Sequence, residues 1–249
     1  MTMRSMHAEW IYPDWPASKN VRALSTTRAG GVSTAVYASL NLAEHVGDVP
    51  ASVSESRARL QAHLGDVRPV WLQQVHGTRV ARIDGQAIPA PADAAVAGGS
   101  KRACAIMTAD CLPVLFCDAK GTQVAAAHAG WRGLAAGVLE ATLTEMRAAP
   151  ADVMAWLGPA IGPKAYEVGE EVRQAFVAQS TVATEAFKPG NAGGKWWCDL
   201  YMLARHRLAA AGVTRIYGGG FCTFTDRERF FSYRRDGECG RMATLVWLE

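Results

Sequence analysis

Three side chains carry the donor chemistry of a metal centre or an activated nucleophile: His76, Cys111 and His128. Imidazole and thiolate both bind a borderline-soft ion such as zinc, and three protein ligands leave one position open for water or substrate. His76 lies in Gln73-Gln74-Val75-His76-Gly77, Cys111 in Thr108-Ala109-Asp110-Cys111-Leu112-Pro113, and His128 opens His128-Ala129-Gly130-Trp131-Arg132-Gly133. Each adjoins a bend, where a side chain can stand at the rim of a sheet. No local ligand spacing connects the three, so only the fold can bring them together. Each also has a plainer reading: His76 as a turn residue, Cys111 as a buried thiol, His128 as a cap on the helix starting near Trp131. A different chemistry uses Cys111 as nucleophile and His128 as its base.

Other candidates are anion binders. The segment from Asp226 to Arg241 mixes Arg with Asp and Glu, which reads first as an ion-paired surface. Arg234 and Arg235 in a turn could still hold a phosphate, because guanidinium offers a fork of donors. Arg57 is a second candidate, with an exposed helix face as the plainer alternative. Of the remaining histidines, His45 sits in a loop and could line a pocket, whereas His7, His63 and His206 carry less signal. The stretch from Lys188 to Lys195 is not a P-loop: its glycine spacing is short, and Trp196 stands where Ser or Thr must hold magnesium.

The elements that must position these residues follow from hydrophobic period. Helices are expected over Ala51–Leu64, Leu134–Met146, Gly169–Gln179 and Leu200–Ala211, bounded by Pro50, Gly65, Asp199 and Gly212. Strands are expected over Val70–Val75, Thr78–Ile83, Ala103–Thr108, Leu112–Cys117, Gln123–His128, Val153–Leu157, Arg215–Tyr217, Arg229–Tyr233 and Thr244–Leu248. Five strands between residues 68 and 128, with no helix among them, argue for α+β rather than simple βαβ alternation. Ala87–Ser100 reads as a surface loop.

Apolar residues at 49% and charged residues at 20% exclude disorder and coiled coil. A net charge of +3 is too small to make nucleic acid the main ligand. Six cysteines without a C-x-x-C pair, in a chain of 249 residues, read as free thiols. No stretch is a signal peptide or a membrane span. The expectation is one domain over residues 1–249, with residues 1–20 as a mobile N-terminal segment, in the cytoplasm. No membrane and no obligatory protein partner is inferred.

Long motifs in order give the chain a family resemblance. Thr26-Thr27-Arg28-Ala29-Gly30-Gly31-Val32-Ser33 and Ser39-Leu40-Asn41-Leu42 come first, then the three motifs around His76, Cys111 and His128. Leu157-Gly158-Pro159-Ala160-Ile161-Gly162 and Phe231-Ser232-Tyr233-Arg234-Arg235-Asp236-Gly237 complete the set. From about Leu24 to Leu248 the chain resembles the YfiH/DUF152 family, also called the multicopper polyphenol oxidase (laccase-like) or peptidoglycan editing factor family. The resemblance implies an α/β/β/α four-layer sandwich, similar to the catalytic domain of bacterial cytotoxic necrotising toxins. It implies that His76, Cys111 and His128 are metal ligands, for zinc or for copper. Two departures are visible: Ser56-Arg57 where the family often has Asn-Arg, and Gly237-Glu238-Cys239-Gly240-Arg241 where it usually has G-x-T-G-R.

The activity so implied is phosphorolysis of purine nucleosides, namely adenosine, inosine, guanosine and methylthioadenosine, together with deamination of adenosine. Phosphate would be held by Arg57 or the Arg234-Arg235 pair, and Asn41 would orient ribose or base. The alternatives are a cysteine hydrolase or amidase that edits muramoyl-peptide precursors, and a laccase-like copper oxidase of phenols. Six histidines are few for a multicopper centre.

Overall fold

The computed structural model describes residues 10–85, 91–99 and 101–249. Two sheets stack face to face, and their strands are interleaved in sequence. The first has the order β1 (Val21–Ser25), β13 (Met242–Leu248), β5 (Arg102–Thr108), β2 (Arg68–Trp71). The second runs β12 (Arg215–Gly218), β8 (Val153–Leu157), β6 (Leu112–Asp118), β7 (Val124–Ala129), β4 (Ala94–Ala97), β3 (Val80–Arg82). A third, smaller sheet joins β9 (Glu167–Gly169), β10 (Phe187–Pro189) and β11 (Lys195–Cys198), all antiparallel.

Period-two alternation sorts the side chains into layers. Cys104 and Ile106 of β5, Val246 and Leu248 of β13, and Leu115 and Cys117 of β6 share the core between the two large sheets. Ala103 and Ala105, with Leu245 and Trp247, point the other way, onto Leu60 and Leu64 of helix α1 (Pro50–Leu64). On the far side, Leu112, Val114 and Phe116 pack against helices α2 (Trp131–Ala136), α3 (Val138–Met146) and α5 (Leu200–Ala210). The order helix, sheet, sheet, helix is the expected four-layer α+β sandwich.

Local chemistry sets the helix ends. Pro50 opens α1, where its missing N–H costs nothing, and Gly65 at φ +66° closes it. The Asp199 side chain accepts from the Met202 N–H and caps α5. The single helix expected over Leu134–Met146 is two, because Gly137 at φ +101° breaks it into α2 and α3. Helix α4 (Glu170–Val177) lies within its expected span.

Two further element assignments need correction. Arg229–Tyr233 is not a strand: Phe230 and Phe231 are fully buried, and Ser232 caps the short helix α6 (Tyr233–Asp236). Ala87–Ser100 is not simply a surface loop. Residues 87–90 and 100 lie outside the described residues, but β4 inside that stretch is buried and pairs with both β3 and β7. Of the N-terminal segment, residues 1–9, including His7, lie outside the described residues. Beyond them Trp10 is buried and Ile11 bridges Ser25. No helix among the described residues is long and apolar enough to cross a membrane.

Candidate metal centre

Two of the three candidate ligands sit where the chain crosses from one large sheet to the other. His76 lies between β2 and β3, and Cys111 lies between β5 and β6. His128 stands near the end of β7, just before α2. The fold thereby brings all three to one end of the sandwich. One ligand atom from each lies within 4.8 Å of the others. Cys111 Sγ is 3.7 Å from His76 Nε2, and the two imidazoles meet edge to face with centroids 4.7 Å apart.

Tight backbone geometry shapes both crossings. His76 adopts φ +61° and Asp110 adopts φ +88°, a region that non-glycine residues enter at a cost. Asp110 is held there by three bonds. Its carboxylate accepts from Thr223 Oγ1 at 2.6 Å and from the Arg234 N–H at 2.7 Å, and its carbonyl accepts from the Ile161 N–H at 3.0 Å. Three of the sequence motifs thus converge on the turn that presents Cys111. Gly130 is needed for close approach: a Cβ there would lie 2.8 Å from His76 Cδ2 and 3.1 Å from Cys111 Sγ.

His128 does not cap the following helix, whose N-cap is Gly130. Its Nδ1 instead lies 2.9 Å from the carboxylate of Asp93, leaving Nε2 to face Cys111. Asp93 also accepts from the backbone N–H groups of Val75, His76 and Gly77. Burial alone would push the Cys111 thiol up, but the neighbouring His128 and His76 outweigh it and bring it down to about 6. Burial likewise opposes charge on His128. The facing Cys111 thiolate and the bond to Asp93 prevail and raise it to about 9. Both shifts favour a thiolate beside an imidazolium, and a thiolate is the form in which cysteine binds a cation.

The donor set fits a borderline-soft ion: two imidazole nitrogens and one thiolate, with one imidazole steadied by a carboxylate and space left by Gly130. The three open into a cavity of about 420 Å³, walled by Trp131, Tyr166 and Tyr233 and edged by Arg132, Arg234 and Arg241. His45 lines it as expected; burial and the nearby Arg241 and Arg57 charges hold its imidazole below the ordinary value. A larger open groove of about 840 Å³ lies beside Tyr12, Trp15 and Trp247. It contains none of the three, which form the one such ligand group among the described residues.

The expected substrate contacts divide. Arg234 lines the cavity, donates to the Glu167 carbonyl and lies over the Tyr166 ring. Asn41, Arg57 and Arg235 do not line it. Asn41 is fully buried and bonds Ala43, Asp48 and the Arg241 N–H. Arg57 stacks on Trp71, bonds the Leu42 carbonyl and pairs with Glu44. Arg235 donates to the carbonyls of Thr223, Phe224 and Phe230, tying α6 to the preceding loop. Sequence reasoning missed Arg132, Tyr166 and Arg241 as cavity residues and Asp93 as a buried partner. Arg132 and Arg241 stood inside the motifs already noted; Asp93 stood in a stretch taken for a loop.

The layered fold and the convergent His-Cys-His group define an α+β protein with a candidate metal site. Comparison with known proteins makes this specific. Residues 22–249 match the family model described as multi-copper polyphenol oxidoreductase laccase. The chain is 56% identical over 240 residues to a purine nucleoside phosphorylase of Pseudomonas aeruginosa, covering 96% of this chain and 98% of that protein. It is 54% identical over 241 residues to purine nucleoside phosphorylase YfiH of Escherichia coli, with the same coverage. The crystal structure of a Neisseria meningitidis DUF152 protein superposes with a TM-score of 0.92 at 51% identity, covering 97% of this chain and 99% of that one. The chain belongs to the YfiH/DUF152 family.

Proposed function

We propose that the chain is a purine nucleoside phosphorylase that holds zinc through His76, Cys111 and His128 and also deaminates adenosine. Adenosine, inosine, guanosine and methylthioadenosine are its substrate class. The observation that carries this reading is a single cavity in which the three donors, aromatic walls and guanidinium groups face one another. The names of its relatives point the same way.

In phosphorolysis a phosphate oxygen bonds to the anomeric carbon of ribose while the bond to the purine breaks. The purine leaves with the bonding electron pair and is protonated, and ribose 1-phosphate remains. Positioning two reactants on one another is itself a large part of such catalysis. Trp131, Tyr166 and Tyr233 offer ring faces to the base. Arg132, Arg234 and Arg241 supply charged donors for the phosphate, replacing Arg57 and Arg235 in that role. Zinc, when bound, supplies a Lewis acid. Six free cysteines accord with a reducing compartment such as the cytoplasm.

Product analysis by chromatography tests the reading. Purified protein with adenosine and phosphate should yield adenine and ribose 1-phosphate, with Cys111→Ala inactive. Inosine formed without phosphate would show the deamination. No product from folded, zinc-loaded protein under either condition would reject the nucleoside reading.

One observation favours a second reading. The lowered Cys111 thiol beside His128, itself bonded to Asp93, is also the layout of a cysteine hydrolase. Such an enzyme would cleave a muramoyl-peptide precursor, and direct alkylation of Cys111 in the metal-loaded protein would favour it. A multicopper oxidase is disfavoured by the single ligand group among the described residues, although copper(II) would compete with zinc for those donors.

A further inference from the structure

Asp93 takes no part in the cavity wall, yet it touches the backbone or ring of both candidate histidine ligands. It is fully buried, immediately before β4. Oδ1 accepts from the His76 N–H at 2.8 Å and faces His128 Nδ1 at 2.9 Å. Oδ2 accepts from Gly77 N–H at 2.7 Å and Val75 N–H at 3.1 Å. Each carboxylate oxygen therefore faces two nitrogens. The Asp93 carbonyl also accepts from the His128 N–H at 2.7 Å, at the start of the β4–β7 ladder. Asp93 and His128 are joined twice, once through the sheet and once through the side chains.

From this geometry we infer that Asp93 is the positioning residue of the site: one buried carboxylate sets the ring tautomer of His128 and the turn that aims His76, and so assembles two ligands that arrive from different sheets.

The two effects are separable. For His128, an acceptor at Nδ1 places the proton there and leaves the Nε2 lone pair for a metal. For His76, the left-handed conformation at φ +61° is maintained by three successive N–H groups, those of Val75, His76 and Gly77, closing on one anion. Among the described residues no other carboxylate bonds these groups. The neutral amide of Asn cannot substitute, even though it has the same shape. Whichever way it is turned, its NH₂ faces donors: either those of Val75 and Gly77, or those of His76 and His128. The way out at His128 is to move the ring proton to Nε2, which removes that nitrogen as a ligand.

This inference rests on the zinc reading of the site, so the test has one readout that depends on zinc and one that does not. The first is competition for zinc with a chromophoric chelator, comparing the wild-type chain with Asp93→Asn. Loss of about 10–100-fold in affinity, in a variant that still melts cooperatively, is the expected result. Unchanged affinity would overturn the inference. The second is ¹⁵N NMR of the His128 ring in the zinc-free wild-type chain at pH 10, above its raised value of about 9, where the ring keeps a single proton. A protonated, hydrogen-bonded Nδ1 is expected, moving to protonated Nε2 in Asp93→Asn. An unprotonated Nδ1 in the wild type would overturn the inference, even if the variant does not fold. A wild-type chain that binds no zinc would reject the zinc reading alone, and the ring measurement would still decide the role of Asp93.

Discussion

Replacing Gly130 with Ala adds one methyl group to the candidate metal centre, and the structure allows its effect to be worked out. Gly130 has φ −61° and ψ 155°, which alanine adopts without strain, so only space is at stake. The new Cβ would lie 2.8 Å from His76 Cδ2, 3.1 Å from Cys111 Sγ and 3.4 Å from His76 Nε2. Carbon atoms rest at about 3.5–4.0 Å, so the His76 ring must retreat by roughly 0.7 Å or more. Its backbone cannot follow freely, because the His76 N–H is bonded to Asp93. The ring must therefore turn, whereas metal ligands tolerate only about 0.2 Å. Crowding a packed site by one methyl costs about 1–3 kcal/mol. Since His76 can turn into the cavity, that cost falls on metal binding rather than on folding. At tenfold per about 1.4 kcal/mol, zinc affinity should drop about 5–150-fold. Chelator competition reads the affinity, and a thermal melt checks that the fold is intact. Gly193→Ala is the control, since no atom lies within 4 Å of its added Cβ. Wild-type zinc affinity in Gly130→Ala would show that the methyl group does not crowd the His76 ring.

Three further outcomes are expected. In chelated protein, iodoacetamide should modify Cys111 with a midpoint near pH 6, because its lowered pKa makes the thiolate dominant above that value; Cys104, Cys117, Cys198 and Cys239, all raised, should remain unreactive there, and zinc should protect Cys111. Mass spectrometry of the labelled peptides checks this. Arg132→Ala should raise the KM for phosphate about tenfold without shifting Tm measurably, as its side chain lines the cavity and lies over Trp131; an unchanged KM would remove it from the phosphate role. Tyr201→Phe should destabilise the fold by about 1–3 kcal/mol in urea unfolding, because Tyr201 Oη accepts from the buried Ala160 N–H at 2.9 Å and donates to the Gly158 carbonyl at 3.1 Å.

The parts of the fold visible in the sequence were those whose side chains alone carry the period. Val53, Leu60 and Leu64 mark one face of α1, and Val153–Leu157 was located without error. β4 was hidden because Ala-Ala-Val-Ala has little strand propensity; pairing on both sides makes it a strand. Arg229–Tyr233 has aromatic residues suited to a strand, but Phe230 and Phe231 are drawn into a separate buried cluster with Met242. At the site, the motifs pointed to His76, Cys111 and His128 because each marks a bend. Whether an arginine lines a cavity or bonds carbonyls is not written in its neighbours: Arg57 and Arg235 bond carbonyls away from the cavity, while Arg132 and Arg241 line it. Asp93 acquires its partners only when β4 is laid beside β7.

The central claim is that the His76, Cys111 and His128 group supports phosphorolysis of purine nucleosides. Its most direct test is the rate of ribose 1-phosphate formation from inosine as chelated protein is titrated with zinc. Turnover should rise from baseline to a plateau at one zinc per chain and should require phosphate throughout. Turnover that is indifferent to zinc, or that proceeds equally without phosphate, would contradict it.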